Sequence, residues 1–314
     1  MSRFPIRRVV ALAVLASILS VISAAASDGK YLIIDVSGGS SASSYSYQYV
    51  STVPSDLLTN KDYKSSKIVL RRISAGTFTM GSPSSEVGRD SDETQHSVTL
   101  TKDFYMGVFE VTQAQYMNVT GLDPSASKGD YRPVDTVGWM TVRGRTSEGP
   151  YDASDSSSSS SFLGLIARKT GLLWLDLPTQ AQWEYACRAG TTGALNNGRE
   201  NCNDPTLNDL AWNKNNSNGA THEVGGKLPN AWALYDMHGN VWEWTRDVSY
   251  SPPRDYGSSP LTDPVSPHPA EGAGRYVRSG GYDDETSRYR SAEHYGSHAW
   301  GYYNLGFRLS LLCP

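Results

Sequence analysis

The sequence predicts an irregular α+β fold in which short strands and a few short helices are joined by long loops. The 314 residues include 29 glycines, 19 tyrosines and 8 tryptophans, a composition that favours loops and aromatic packing over long helices. Short runs that alternate with period two indicate strands, and hydroxyl-capped runs indicate helices. The length allows one large domain or two modest ones, with ample chain for a core.

Residues 1–26 have the order of a secretory signal peptide. Three arginines precede an apolar run over residues 9–22, and three alanines follow it. The run of about 14 residues is shorter than the roughly 20 needed to span a bilayer, although an uncleaved anchor is the alternative. We expect a mature chain starting near Ser27, with no transmembrane segment after cleavage, exported to the periplasm, the cell surface or the medium.

Residues 27–67 form an N-terminal extension rich in serine and tyrosine. Residues 31–36 and 44–49 alternate with aromatic side chains, which predicts short strands. No motif identifies this region. It is either packed on the main domain or a small separate unit.

The main domain is predicted to cover residues 68–314. It opens with strands separated by glycine-marked turns. The serine-rich run over 146–161 has no apolar content with which to offset the cost of ordering, so we interpret it as a loop insert. Three helices are predicted from their start and stop signals: residues 113–119 after Thr112, residues 162–169 before Gly171, and residues 180–189 between Thr179 and Gly190.

Composition and motifs exclude several function classes. The net charge of −4 and the 19% of charged residues give no basic surface for nucleic acid. The six histidines show no recognised metal spacing, and His294 and His298 lack a third ligand. No Ser/His/Asp arrangement is recognisable. Metal-centred oxidation and triad hydrolysis are therefore disfavoured.

Five motifs occur in order across residues 68 to 310. They are Gly76-Thr-Phe-Thr-Met-Gly-Ser, Val108-Phe-Glu-Val-Thr-Gln, Leu177-Pro-Thr-Gln-Ala-Gln-Trp-Glu-Tyr-Ala, Gly239-Asn-Val-Trp-Glu-Trp, and Gly280-Gly281 with Gly306-Phe-Arg. Together they resemble the formylglycine-generating enzyme (sulfatase-modifying factor) family. The resemblance implies a compact domain with little regular structure, related to the C-type lectin fold. Within these motifs, Trp183, Tyr185, Trp242 and Trp244 are interpreted as core aromatics.

The resemblance also implies a calcium site in the segment from Asp236 to Glu243. The ligands would be the side chains of Asp236 and Glu243 and the carbonyls of Gly239 and Val241, a crowded set of hard oxygens that suits Ca²⁺. The alternative is that Glu243 pairs with an arginine and that Asp236 caps a turn.

Thiol chemistry is expected to be absent. Family members oxidise a substrate cysteine with a pair of their own thiols, placed between the Gly-Gly turn and the Arg-Tyr-Arg strand. That interval holds Thr286 and Ser287 but no cysteine, and a hydroxyl does not replace a thiolate as a Cu(I) ligand. No copper is expected, and an enzyme is the less favoured reading.

The three cysteines suggest one disulfide and one free thiol if the chain is exported. The resemblance implies pairing of Cys187 with Cys313. The local alternative is Cys187 with Cys202.

The C-terminal segment has the composition of an antibody paratope, in which Tyr and Trp supply contact area and Ser and Asn supply hydrogen bonds. It resembles the variable region of diversity-generating-retroelement proteins, so we predict an exported protein with a ligand-binding surface for a protein or a glycan. The alternatives are ordinary core residues at these positions, an oxidoreductase of the sulfatase-modifying type, and an envelope structural or assembly protein. The candidate binding residues are Tyr282, Asp283, Asp284, Ser287, Tyr289, Ser291, His294, Tyr295, His298, Trp300, Tyr302, Tyr303 and Asn304.

Overall fold

A six-stranded sheet forms the largest regular element of the protein. In this computed structural model its strand order is β2-β1-β3-β6-β15-β7. The remaining strands form a four-stranded sheet (β13-β12-β10-β14), a three-stranded sheet (β11-β5-β4) and a pair (β8-β9). The structure describes residues 29–144, 160–249, 257–266, 274–298 and 302–313.

The strands are short, as the alternation predicted. Their bounds are β1 Tyr31–Asp35, β2 Ser46–Val50, β3 Lys67–Ile73, β4 Gly76–Met80, β5 His96–Leu100, β6 Phe104–Gly107, β7 Leu175–Asp176, β8 Ala211–Trp212, β9 His238–Gly239, β10 Trp242–Val248, β11 Leu261–Thr262, β12 Arg275–Arg278, β13 Tyr295–Ser297, β14 Leu305–Gly306 and β15 Ser310–Leu312.

The helices begin and end at the capping residues that the sequence offers. Thr112 and Thr179 each form a capping box with the glutamine three residues later. Ser161 accepts a hydrogen bond from the amide of Gly164, and Gly171 ends that helix in the left-handed conformation. The bounds are α1 Gln113–Thr120, α2 Trp139–Arg143, α3 Phe162–Thr170, α4 Gln180–Arg188 and α5 Leu207–Leu210. No helix within the described ranges has the length and apolar content needed to cross a bilayer.

The N-terminal extension is packed into the main domain. Strand β1 lies between β2 and β3, with Leu32 opposite Leu70 and Ile34 opposite Ile68. These side chains belong to the largest apolar cluster, which also contains Trp244. Of the two arrangements left open for residues 27–67, the described part adopts the packed one. The signal-peptide prediction and most of the predicted serine-rich loop lie outside the described residues.

The four-stranded sheet positions the C-terminal segment. Strand β10 pairs antiparallel with β12 and parallel with β14, so Glu243 lies between Arg278 and Gly306. After β12 the chain turns at Gly280, whose φ is +77°, and a Cβ there would lie 2.7 Å from the carbonyl oxygen of Arg288. Only glycine tolerates both constraints. This turn brings the following loop against the end of β10.

Candidate functional site

A cleft of about 340 Å³ opens beside the four-stranded sheet. Its lining residues come from β10, β12, β13 and β14 and from the two connections that flank β13. We call it the Trp242 cleft. It is lined by Trp242, Val277, Asp284, Arg288, Tyr295, Ser297, Tyr302, Asn304 and Leu305.

The position of Trp242 is fixed by a hydrogen bond to the neighbouring loop. Its Nε1–H donates to Asp284 Oδ2 at 2.7 Å, and the amide of Gly281 donates to the same oxygen at 2.8 Å. The indole is only 6% exposed, and its ring centre lies 6.1 Å from that of Tyr295. Burial raises the pKa of Asp284, and repulsion from Asp283 adds to the shift. The indole therefore lines the cleft as a rigid aromatic surface.

Exposed tyrosines form the edge of the cleft. Tyr295 is 54% exposed and Tyr302 is 53% exposed. Beside them, Asp283 accepts hydrogen bonds from the Tyr303 hydroxyl at 3.0 Å and from Asn304 Nδ2 at 3.1 Å. Asp283 therefore ties the segment carrying Tyr302 to the loop after Gly280. Aromatic rings exposed in this way offer contact area at a small entropic cost.

Arg288 supplies the cationic wall of the cleft. Its Nη1 bonds to Glu293 Oε1 at 2.6 Å and lies 3.3 Å from Asp90 Oδ2. The guanidinium lies 5.7 Å from the ring centre of Tyr295. Its Nε–H and Nη2–H have no hydrogen-bond partner among the described residues, so they are free to donate to a ligand.

A buried ion-pair network lies behind Arg288. Arg290 bonds to Glu93 and Glu293 at 2.6 Å and to Glu86 at 3.0 Å. Burial raises the pKa of Glu293 to about 7, although Arg290 and Arg288 both lower it. Oxygens of Asp90, Glu93 and Glu293 lie within 4.8 Å of one another. Because guanidinium groups already contact all three carboxylates, we interpret the network as structural.

The predicted calcium ligands lie in a second buried cluster. Glu243 is held by Arg308 through two contacts of 2.6 Å and by Trp183 Nε1 at 2.7 Å, which is the arginine pairing left open by the sequence. Asp236 accepts a hydrogen bond from the amide of Gly225 at 2.6 Å, and its buried Oδ1 has no partner. The carbonyl of Gly239 accepts a hydrogen bond from the Ser279 hydroxyl.

Sequence reasoning missed Glu110 in this cluster. Its carboxylate accepts hydrogen bonds from Asn240 Nδ2 at 2.7 Å and from the amide of Val241 at 3.2 Å. Burial, together with repulsion from Asp236 and Glu243, raises its pKa well above the usual range. Three buried carboxylates therefore lie around one arginine. The unpartnered Oδ1 of Asp236 is available as a cation ligand, whereas the oxygens of Glu110 and Glu243 already accept hydrogen bonds.

The cysteines form no disulfide, so the expected pairing is corrected. All three thiols are free and occupy different surroundings. Cys187 is buried beside the Met237 carbonyl, Cys202 donates to the Val87 carbonyl at 3.4 Å, and Cys313 packs against the largest core. Burial raises the pKa of Cys187 to about 12, which disfavours the thiolate. None of the three lines the Trp242 cleft.

The structure divides the predicted binding residues into several groups. Asp284, Tyr295, Tyr302 and Asn304 line the cleft, while Asp283 and Tyr303 lie beside it. Tyr289 and Ser291 are fully buried, and Tyr282 is 7% exposed, so their assignment to an open surface is corrected.

Ser287, His294 and His298 are not among the residues that line the cleft. Ser287 faces Gly88, and His294 contacts Asp92 at 3.2 Å. His298 is exposed, and Trp300 lies outside the described residues. Prediction missed Trp242, Val277, Arg288, Ser297 and Leu305 as lining residues. Trp242 belongs to the Gly-Asn-Val-Trp-Glu-Trp motif and Arg288 begins the Arg-Tyr-Arg segment. Neither pattern indicates which side chains of the segment line a cleft.

Comparison with known proteins identifies the family. Residues 57–311 match the sulfatase-modifying factor enzyme 1-like domain. The chain belongs to this family. The sulfatase-modifying factor resemblance and the irregular α+β fold expected from the sequence are both confirmed.

Three relatives of this sulfatase-modifying factor enzyme 1-like chain share part of its sequence. The chaperone protein LppX of Paenibacillus barcinonensis is 34% identical over 184 residues, or 49% of this chain and 65% of LppX. The formylglycine-generating enzyme of Streptomyces coelicolor is 36% identical over 37% of this chain and 40% of the enzyme. That of Mus musculus is 29% identical over 67% of this chain and 65% of the enzyme. The chain thus spans less than two thirds of each relative.

Two solved structures resemble the sulfatase-modifying factor enzyme 1-like chain over most of its length. Treponema denticola variable protein 1 is 26% identical, with a TM-score of 0.60 over 78% of this chain and 95% of that protein. PvdO from Pseudomonas aeruginosa is 25% identical, with a TM-score of 0.57 over 78% of this chain and 94% of PvdO. One of the two is thus a variable protein.

Proposed function

We propose that this chain is an exported ligand-binding protein and that the Trp242 cleft is its binding site. The observation that carries the proposal is the lining of the cleft, where aromatic rings lie beside polar groups that keep some hydrogen-bonding atoms without a partner in the described chain. Concave sites with apolar walls and a few placed polar groups are the usual form of ligand sites. The interval in which the resemblance places catalytic thiols contributes Asp284 to this cleft instead, and Arg288 directly follows that interval.

Export is proposed from the charged, apolar and small-residue order of residues 1–26. The measurement is the N-terminal sequence of protein recovered from the medium or the envelope fraction. A mature chain beginning near Ser27 would support export, and an intact N-terminus in a cytoplasmic fraction would contradict it.

The likeness to a variable protein supports a display role for the exposed cleft residues. Under this proposal, copies of the gene within one genome or population differ mainly at exposed positions such as Tyr295 and Tyr302. Buried positions such as Tyr289 stay constant. Substitutions spread evenly over buried and exposed positions would contradict the display role.

The binding function can be tested with paired variants. Labelled protein is applied to a printed glycan array and to a phage-displayed peptide library. Tyr295→Ala and Tyr302→Ala each remove an exposed ring and should lower binding at least ten-fold, with an unchanged urea midpoint. Leu228→Ala, at a position that is 60% exposed and outside the cleft, is the matched control. Wild-type protein that binds neither library, or variants that bind as well as wild type, would overturn the proposal.

An oxidoreductase of the sulfatase-modifying type is the second candidate, favoured by the identity to formylglycine-generating enzymes. Its test is incubation with copper, oxygen and a cysteine-containing peptide, followed by mass spectrometry for the aldehyde. We expect no aldehyde above the protein-free control, because no thiol lines the cleft. Steady aldehyde formation would replace the binding proposal.

We further propose Ca²⁺ beside Asp236 and Glu110. The support is the unpartnered Oδ1 of Asp236 and the excess of buried carboxylates. Calcium at 100 times its Kd should raise the free energy of unfolding by about 2.7 kcal/mol. Mg²⁺ at the same concentration should give a smaller increase. Asp236→Asn should lose the effect, and Asp209→Asn, at an exposed residue, should keep it. An equal response of both variants would contradict the site.

A further inference from the structure

We propose that the Trp242 cleft binds an uncharged sugar ring of a glycan. This inference rests on the proposed binding function and specifies its ligand. It is carried by three features of the cleft: the aromatic and apolar surfaces, the mixture of free donors and acceptors, and the presence of one charge of each sign.

The apolar surfaces match the flat face of a pyranose. Tyr295 and Tyr302 present two exposed rings, and Trp242, which is only 6% exposed, adds a small part of a fixed ring. Val277 and Leu305 complete the apolar part of the lining. The C–H groups on one face of a sugar ring pack on aromatic rings through dispersion and burial. The volume of about 340 Å³ lies at the lower end of the range for small-molecule sites, about 300–1,000 Å³.

The free polar groups match hydroxyls. Asp284 Oδ2 accepts hydrogen bonds from Trp242 and Gly281, and Oδ1 remains an acceptor with no partner among the described residues. Arg288 Nη1 donates a hydrogen bond to Glu293, so Nε–H and Nη2–H remain as donors for a ligand. The Tyr295 and Tyr302 hydroxyls are also without partners in the described chain. A sugar hydroxyl donates and accepts at once, so neighbouring hydroxyls can satisfy both sides of such a cleft.

The charges disfavour ionised ligands. A carboxylate in the cleft would meet Asp284, with Asp283 adjacent to it, and an ammonium group would meet Arg288. Either ligand would lose part of its attraction to one wall through repulsion from the other. A neutral polyol avoids both penalties. The balance of charges thus separates a neutral sugar from acidic sugars, amino sugars and charged peptide side chains.

The first experiment compares four classes of probe. Neutral oligosaccharides of glucose, galactose, mannose and N-acetylglucosamine are compared with sialic or glucuronic acid oligomers, with glucosamine oligomers and with a peptide library. Saturation-transfer NMR and titration calorimetry measure the contact and the affinity. We expect at least one neutral sugar to bind, and its acidic and amino analogues to bind at least ten-fold more weakly.

Variants connect that preference to the cleft. Tyr302→Ala should weaken sugar binding at least ten-fold, whereas Leu228→Ala should leave it unchanged. Asp284→Asn keeps an oxygen for the Trp242 and Gly281 donors but removes the charge, so the discrimination against acidic sugars should shrink several-fold. Urea midpoints confirm that each variant is folded.

The outcomes separate this inference from the function it rests on. Binding of peptides alone, or stronger binding of charged sugars than of neutral ones, would overturn the sugar assignment and leave the binding function standing. Absence of binding to every probe class would overturn both. Unchanged discrimination in Asp284→Asn would contradict the charge argument.

Discussion

Removing the Tyr289 hydroxyl is the most direct test of how the C-terminal segment divides into core and surface. Tyr289 is fully buried against Leu195 and Leu207. Its hydroxyl lies 2.7 Å from the Gly281 carbonyl oxygen and 2.8 Å from that of Asp284. One proton serves both acceptors, and the Gly281 carbonyl also accepts from the Asp284 amide at 3.2 Å. Tyr289→Phe therefore removes one buried donor, and we expect it to cost the net contribution of one hydrogen bond, about 0.5–1.5 kcal/mol of unfolding free energy.

The matched variant is Tyr302→Phe, which removes a hydroxyl that has no partner in the described chain from a ring that is 53% exposed. Its unfolding free energy should stay within about 0.5 kcal/mol of wild type. Urea unfolding followed by tryptophan fluorescence measures both variants, and an unchanged m-value validates the comparison. If Tyr289→Phe were as stable as wild type, or Tyr302→Phe lost more than about 1 kcal/mol, the division into core and surface would be refuted.

Three further predictions concern the buried charges and thiols. The pKa of Glu293 is about 7, above its ordinary 4.5, so the folded state favours the protonated carboxyl. The stability that this protonation contributes is therefore complete below pH 4.5 and is lost as the pH rises through 7. The unfolding free energy of wild type relative to Glu293→Gln should fall by roughly 3 kcal/mol over that window, and a pH-independent difference would contradict this. Arg308→Met should cost about 3–5 kcal/mol because it leaves Glu243 buried and unpaired, and adding Glu243→Gln should recover part of the loss. Unreduced protein denatured in guanidinium should react with Ellman's reagent at all three thiols. A count of one thiol would show that a disulfide is present and would contradict the structure.

The helices were predictable because their signals are local. Thr112 and Thr179 each stand before a glutamine at the third helical position, and the hydrogen bonds of the capping box involve only those neighbours. Gly171 ends α3 for an equally local reason, its left-handed conformation. The alternation was similarly informative for β2, in which Tyr47 and Tyr49 are half-buried while Ser46 and Gln48 are exposed. Sheet order could not be predicted, because pairing β15 with β6 joins residues some 200 positions apart.

The lining of the Trp242 cleft was predicted only in part, because composition does not show which side chains point outward. Tyr289 and Tyr295 are six residues apart and equivalent in composition, yet one is 0% exposed and the other 54%. A 3-10 turn over Thr286–Tyr289 directs Tyr289 into the cluster around Leu207. Tyr295 instead lies on β13, at the edge of the four-stranded sheet. The turn and the edge position both depend on contacts that the local sequence does not show.

The cluster around Asp236 shows the same limit for charges. Glu110 and Arg308 are distant in sequence from Asp236, and both stand in motifs that sequence reasoning used only to establish the resemblance. In the fold, burial raises the pKa of Glu110 and repulsion from Asp236 and Glu243 adds to the shift, while Arg308 contacts the Asp236 carbonyl as well as Glu243. A buried arginine had been foreseen only as an alternative partner for Glu243. The excess carboxylate appears only when all four residues are assembled.

The ion-pair networks and the edge of the Trp242 cleft consist of different residues, which is what the proposed display role would require. Arg290 and Arg308 are fully buried and each bonds at least one carboxylate at 2.6 Å. Losing either leaves an unpaired buried charge, at a cost of several kcal/mol. Tyr295 and Tyr302 are more than half exposed, so replacing them should change stability by at most about 0.5 kcal/mol. If the proposed binding role holds, the residues that stabilise the fold differ from those that contact the ligand, and we expect substitutions at Tyr295 and Tyr302 to leave the fold intact.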